Sequence, residues 1–236
     1  MTELLAAARS RLATDGAAAL SLRAVARDLG MASSAVYRYV ESRDALLTLL
    51  ILEGYTAVGE VAEQAAADAR ARGLDPADTW LAVARAIRRW AVDNEHTYAL
   101  VYGTPVPGYQ APEVTVPAAT RLWAVIVEIL RAAHDDGALV TPGPEFPTDG
   151  VLAEATYTFA GLPSSGHGAR ESGLLVGRSF TLFSSVIGAI TAELFGHLRG
   201  AVLDTSAIFD ATVVTAAAGV GLRAQVPGVD PGDRGE

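Results

Sequence analysis

Between positions 33 and 39 the chain places Ser33, Ser34, Tyr37, Arg38 and Tyr39, with no acid among them. Hydroxyls, phenols and a guanidinium at that density suit hydrogen bonding to base edges and phosphate oxygens. Arg43, Ser21 and Arg23 flank the group and fit the same task. A guanidinium beside the free amides of a helix start can share one phosphate with them, and Ser21 with Arg23 stands where a second strand of backbone would pass. Glu41 and Asp44 are expected to turn away from such a partner or to pair with arginine.

Other chemistries find few residues to use. There is no cysteine, which excludes disulfides, thiolate metal sites and cysteine nucleophiles. The four histidines, His96, His134, His167 and His197, are scattered and lack metal-ligand spacing. Ser164-Ser165-Gly166-His167-Gly168 resembles a catalytic string only superficially, since it has no strand–elbow–helix setting. No Gly-rich phosphate loop is present. The expectation is therefore a protein without catalysis, metal or cofactor.

Charge first argues against a nucleic-acid partner, then for one. The chain carries 18 basic residues, all arginine, against 27 acids, for a net charge of -9. An acidic molecule repels phosphate at long range. The balance is uneven, however. Residues 1–50 hold six arginines and five acids, while the remainder holds twelve and 22. A membrane partner is not expected either. The first residues lack a basic leader pattern, and the charge-free run Ser179–Ala192 has 14 residues where a spanning helix needs about 20. The sequence reads as a soluble, cytoplasmic protein.

The elements that must position the cluster are helices. Roughly a fifth of the chain is alanine, and apolar residues recur at helical spacing while strand signals are nearly absent. An all-α fold is expected. A first helix runs from Thr2 to about Asp15, with Gly16 as its stop. A second opens at Ser21, which is placed to cap it, and ends at Leu29-Gly30. Gly30-Met31-Ala32 forms a turn, and a third helix covers Ser33–Tyr39. Ala26 supplies the small residue at which the second and third helices cross. Val25, Leu29, Val36 and Val40 face the first helix, where Ala8 and Leu12 complete a small core. A fourth helix, capped by Ser42, continues towards Arg72. Further helices are expected over 78–94, 98–102, 116–136, 151–160, 171–198 and 206–219. Thr141–Thr148 reads as a proline-rich loop. Domain boundaries follow at 1–47, 48–222 and a disordered tail over 223–236.

The stretch from Leu22 to Leu47, LRAVARDLGMASSAVYRYVESRDALL, resembles the DNA-binding signature of the TetR family of bacterial regulators, and the likeness extends over residues 4–50. Segments 88–91, 102–109 and 187–196 look like an actinobacterial subgroup of that family. The resemblance implies an all-helical homodimer with an N-terminal helix-turn-helix and a C-terminal domain for ligand and dimerisation. It places Tyr37 and Tyr39 on phosphates, Ser33, Ser34 and Arg38 on the recognition helix, and Arg43 where the family usually has lysine. Two departures stand out. Ala32 occupies a position usually filled by Ser or Thr, and there is no basic N-terminal arm.

The C-terminal residues are less specific. The 171–198 segment is apolar nearly all round, with Gly188, Ala192 and Gly196 forming a small-residue ridge that permits close helix approach. Phe209 and Val213 mark a seam on the last helix. On this reading these five residues form a dimer interface. An effector pocket is expected among Trp80, Arg88, Tyr98, Tyr102, Trp123, Tyr157, Phe180 and Phe183, because ligand sites are mostly apolar with a few polar anchors. The resulting expectation is a ligand-responsive regulator, a repressor on a palindromic operator, released by a small lipophilic effector. The alternative is an all-α small-molecule-binding protein without DNA binding.

Overall fold

The structure, a computed structural model, describes residues 1–140 and 150–224; the expected loop at 141–148 and nearly all of the expected tail lie outside them. Every regular element among the described residues is helical: α1 (Thr2–Ala19), α2 (Leu22–Asp28), α3 (Ser33–Val36), α4 (Arg43–Ala71), α5 (Pro76–Asp93), α6 (Glu95–Tyr102), α7 (Val116–Asp135), α8 (Glu154–Ala160), α9 (Ala169–Leu194) and α10 (Thr205–Gly219), with a 3-10 turn at Glu113–Thr115. The backbone of α1 breaks at Gly16, so the stop read from the sequence is present inside that element.

Two compact units emerge, and they do not follow the linear order of the chain. The first comprises Met1–Glu60 with Trp90–Arg121, the second Val61–Arg89 with Leu122–Glu236. The expected boundary at 47/48 falls inside α4.

In the first unit, Leu4, Ala8 and Leu12 of α1 pack with Leu22, Val25 and Ala26 of α2, Val36 and Val40, and Leu46, Leu47 and Leu50 of α4. The spacing of these residues is that of helix faces, and their burial removes the apolar surface that holds three short helices together. Short helices contribute little stability by themselves, so this shared core sets their mutual angles. Leu29, expected in the same core, is half-buried against it.

The second unit buries α9 against α10 and α8. Its α5 turns Arg85 and Arg88 towards those helices. Arg85 donates to Asp210 at 3.0 and 2.6 Å, and Arg88 to Glu193 at 2.7 and 2.6 Å. Thr205 Oγ1 also donates to Glu193, at 2.7 Å. Trp80 Nε1 donates to the Val213 carbonyl at 3.0 Å. Helices α4 and α9 are long and apolar enough to cross a membrane by length and composition, and each lies partly buried in the fold.

Candidate nucleic-acid interface on the first unit

The turn between α2 and α3 is set by hydrogen bonds that the backbone makes at Gly30. Its φ is 64°, the left-handed region that disfavours any Cβ. Gly30 N donates to Arg27 O at 3.1 Å and Met31 N to Ala26 O at 2.9 Å, so the last carbonyls of α2 are satisfied and the chain reverses at once into α3. Ala32 stands as the N-cap of α3 in extended geometry and supplies no side-chain bond. The α-helical part ends at Val36, four residues long. Beyond it, Arg38 N to Ala35 O at 3.2 Å and Tyr39 N to Val36 O at 2.9 Å tighten the segment into a final turn.

Burying Val36 and Val40 turns the remaining side chains out. Ser33, Ser34, Tyr37, Arg38 and Tyr39 are all exposed, Tyr37 by 47% and Tyr39 by 56%. The two half-exposed tyrosines add apolar ring surface and hydroxyl groups to the same face. Arg38 makes no hydrogen bond or ion pair with another described residue. Arg23 and Arg27, one turn apart on α2, are likewise exposed and unpaired. Arg27 is absent from the sequence expectation. Its signal was its spacing, i+4 from Arg23 on the same helix face.

The other arginines of this region are committed. Arg11 forks onto Asp28, Nε at 2.5 and Nη2 at 2.6 Å, and bonds Asp15 at 3.2 Å. The Arg11 hydrogen bonds hold the Asp28 carboxyl below its ordinary pKa. Arg9 pairs with Glu53. Arg43, expected on a phosphate, instead donates from Nε to Leu20 O at 3.1 Å and from Nη2 to Ala17 O and Ala18 O, both at 3.0 Å. Its fork closes the end of α1 onto the start of α4, so in the DNA-free chain three carbonyls hold the guanidinium that was expected on a phosphate. The reason is geometric: a planar fork finds carbonyls at a chain reversal as readily as a phosphate. Ser42 caps α4 as expected, accepting from Ala45 N at 3.0 Å. Ser21 is the N-cap of α2 in extended geometry but makes no side-chain cap bond, contrary to expectation.

The eight residues expected to line an effector pocket fall into three places. Trp80 is fully buried with its indole N–H satisfied, and Arg88 is held by Glu193 while lying 5.6 Å from the Phe209 ring centroid. Tyr98 and Tyr102 belong to the first unit, their rings 5.3 Å apart, and Tyr55 meets Tyr102 edge-on at 5.7 Å. Burial pushes the Tyr102 and Tyr55 hydroxyls up in pKa. Trp123, Tyr157 and Phe183 meet in one cluster of the second unit with Val127 and Val176, and Phe180 stacks on Trp123 at 5.5 Å. Tyr98 and Tyr102 thus pack within the first unit, and Trp123, Tyr157, Phe180 and Phe183 within the second.

The expected interface residues also divide. Gly188 is exposed with open space around it, and Ala192 is half-buried. Phe209 and Val213 point inward, 2% and 0% exposed, so they are core of this protomer and offer no surface to another. Gly196 lies beyond the end of α9 with φ 75°, and the small-residue ridge stops at Ala192.

A short core-held helix pair, a glycine-closed turn and an outward polar, aromatic and cationic face define the helix-turn-helix class of DNA-binding fold. Comparison with known proteins narrows that class. Residues 4–50 match the family model "Bacterial regulatory proteins, tetR family", and residues 80–216 match "Tetracyclin repressor-like, C-terminal domain". The HTH-type transcriptional regulator Rv1816 of Mycobacterium tuberculosis is 40% identical over 214 residues, 86% of this chain and 84% of that one. The crystal structure of SCO4313 superposes with a TM-score of 0.72 at 32% identity, covering 92% of this chain and 94% of that one. A TetR family transcriptional regulator of Thermus thermophilus, PfmR, shares the fold with a TM-score of 0.59 at 15% identity, over 92% and 97% of the two chains. The chain belongs to the TetR family of transcriptional regulators, which are DNA-binding proteins rather than enzymes.

Proposed function

We propose that the protein is a cytoplasmic repressor that binds a palindromic operator as a homodimer and is released by a small-molecule effector. Residues 1–47 would do the reading, and residues 48–222 would carry the effector response and the dimer contact. The observation that carries this reading is the uncommitted face of α2 and α3. Arg23, Arg27 and Arg38, with the exposed Ser33, Ser34, Tyr37 and Tyr39, present donors that no described residue uses. Two copies of α3 would enter successive major grooves, with Tyr37 and Tyr39 on phosphates and Ser33, Ser34 and Arg38 towards base edges.

The dimer is proposed to form through the outward faces of α9 and α10. Beyond the first turn of α9, which exposes Arg170 and Glu171, the exposed positions of the two helices, including Thr181, Ser184, Gly188, Ile208, Ala211 and Thr215, carry no charge, as suits a surface that a second copy covers. An effector need only bind the DNA-free state more tightly than the DNA-bound one to act as a release signal.

Gel-shift titration against the DNA flanking the gene tests the reading. The full-length protein is expected to bind one fragment in a salt-sensitive manner, and Tyr37→Ala to weaken that complex. Equal, weak binding to every fragment would reject the regulator reading.

A further inference from the structure

Residues 103–112 form a strap that leaves the end of α6 and returns to the early turns of α4, within the same compact unit as the reading face. Its start is fixed, because the Tyr55 hydroxyl of α4 donates to the Val101 carbonyl near the end of α6 at 2.9 Å. Val106 then packs against the core shared by α1, α2 and α4. Val106-Pro107-Gly108-Tyr109 closes as a tight turn, with Tyr109 N donating to Val106 O at 3.1 Å and Gly108 at φ 78°. Proline second and a left-handed glycine third are what a type II turn requires, so the local sequence aims the Tyr109 ring.

At the tip of the strap, the Tyr109 hydroxyl and Thr48 Oγ1 lie 2.9 Å apart. Thr48 Oγ1 also donates to the Asp44 carbonyl at 2.9 Å, which uses its only proton. Tyr109 must therefore be the donor. The two bonds run in series from the strap into the first turn of α4, next to Arg43, whose fork holds the carbonyls of Ala17, Ala18 and Leu20. Elsewhere the strap and the reading face stand apart, across an open groove of about 780 Å³ lined by Tyr39, Gln110 and Pro112 among others. Among the described residues, one hydrogen bond joins residues 103–115 to residues 37–52, and it is Tyr109 to Thr48. The charged lining of the groove is Arg38 against Glu41 and Asp44, a negative balance that disfavours phosphate inside it.

We infer that Tyr109 is a positioning residue for DNA binding: through Thr48 it holds the first turn of α4, and with it the angle at which α3 presents Tyr37, Arg38 and Tyr39. The strap lies outside residues 1–47, so part of the aim comes from chain that reads nothing itself. Without the bond the first turn samples several orientations, and operator affinity falls with the fraction of molecules that keep the right one. The effect on DNA rests on the operator-binding reading; the restraint on α4 does not.

The test uses the full-length protein and its Tyr109→Phe, Thr48→Ser, Thr48→Val and Tyr109→Phe/Thr48→Val variants. Operator affinity, measured by fluorescence anisotropy, is expected to fall by about fivefold to tenfold in Tyr109→Phe, the worth of a neutral hydrogen bond. Thr48→Ser keeps the hydroxyl and should stay within about twofold of the wild type. In the Thr48→Val background, Tyr109→Phe should have no further effect, because its acceptor is already gone. Additive losses would mean that the Tyr109 hydroxyl touches DNA itself, and they overturn the proposal. Hydrogen exchange of the DNA-free protein, followed by mass spectrometry, reads the restraint without an operator. Peptides covering residues 37–52 should exchange faster in Tyr109→Phe, and those covering α10 at the wild-type rate. Unchanged exchange over residues 37–52, or faster exchange with unchanged operator affinity, overturns the positioning role. A wild type that binds no operator sinks the regulator reading, and the positioning role with it, while the exchange data still decide whether Tyr109 restrains α4.

Discussion

Two sets of arginines, one in each unit, behave in opposite ways. On α5, Arg85 and Arg88 each meet a carboxylate through two hydrogen bonds, and the Arg88–Glu193 side chains are only 19% and 13% exposed. On α2 and the turn after α3, Arg23, Arg27 and Arg38 stand in water with no carboxylate taken up. The residue type is the same, so composition cannot separate them. What separates them is whether the fold supplies an acceptor. Where it does, the guanidinium holds helices together; where it leaves five donors idle beside exposed tyrosines, the acceptor belongs to another molecule. The difference also explains how a chain of net charge -9 can present a DNA-facing surface. The surplus acids lie outside residues 1–50, and those within include Asp15 and Asp28, which Arg11 engages.

The sharpest way to break the comparison is to remove one arginine from each side. Arg88→Ala strands Glu193 among partly buried groups and is expected to cost about 2–3 kcal/mol of unfolding free energy in chemical denaturation, below the range for a fully buried pair. Operator affinity of the folded fraction should stay as in the wild type. The same pair predicts a pH dependence. Burial raises the Glu193 pKa, yet the hydrogen bonds from Arg88 and Thr205 together outweigh it and hold the carboxyl below its ordinary value. A lowered folded-state pKa means the stabilisation is complete above the unfolded value of about 4.3 and disappears as pH falls through the folded value. Glu193→Gln should therefore flatten the acid limb of the stability curve, as followed by circular dichroism between neutral and acid pH.

Arg38→Ala gives the converse result. Stability should shift by no more than about 0.5 kcal/mol, as for exposed sites generally, while operator affinity measured by fluorescence anisotropy should fall by about 1–3 kcal/mol. A variant that unfolds the protein, or one that leaves operator affinity untouched, would erase the distinction between the two kinds of arginine.

Gly30→Ala probes the turn that aims the face. A Cβ there meets open space, so strain from the positive φ acts alone and should cost about 1–2 kcal/mol in thermal or chemical unfolding. Smallest in effect is Arg43→Lys, which asks to which side that residue belongs. One ammonium cannot reach the carbonyls of Ala17, Ala18 and Leu20 together, so stability should drop by about 1 kcal/mol. Operator affinity of the folded protein should not change, since the fork is engaged by carbonyls of its own chain. A weakened operator complex would place the Arg43 fork on a phosphate after all.

Much of the reading face was legible because it depends on local rules. Val36 and Val40 must be buried for α3 to pack, which forces Ser33, Ser34, Tyr37, Arg38 and Tyr39 outward by helical period alone. Gly30 and Ser42 announce a turn and a cap through backbone chemistry that involves only near neighbours. What escaped depends on partners distant in sequence. Nothing near Arg43 names the carbonyls of residues 17–20 as its acceptors, and nothing near Arg88 names Glu193. The last helices were hard for a different reason. A helix apolar nearly all round does not say which face meets its own fold, so Phe209 and Val213 were read as surface when α9 and α5 cover them.

The central claim is that the idle arginines of the first unit are completed by DNA phosphate and bases. Its most direct test is the salt dependence of operator binding for Arg23→Ala/Arg27→Ala, set against Arg72→Ala, an exposed arginine outside the face. With two phosphate contacts removed from each protomer of a dimer, the slope of log affinity against log salt should become shallower by about 3–4, and Arg72→Ala should leave it unchanged. Equal slopes for all three proteins would contradict the account.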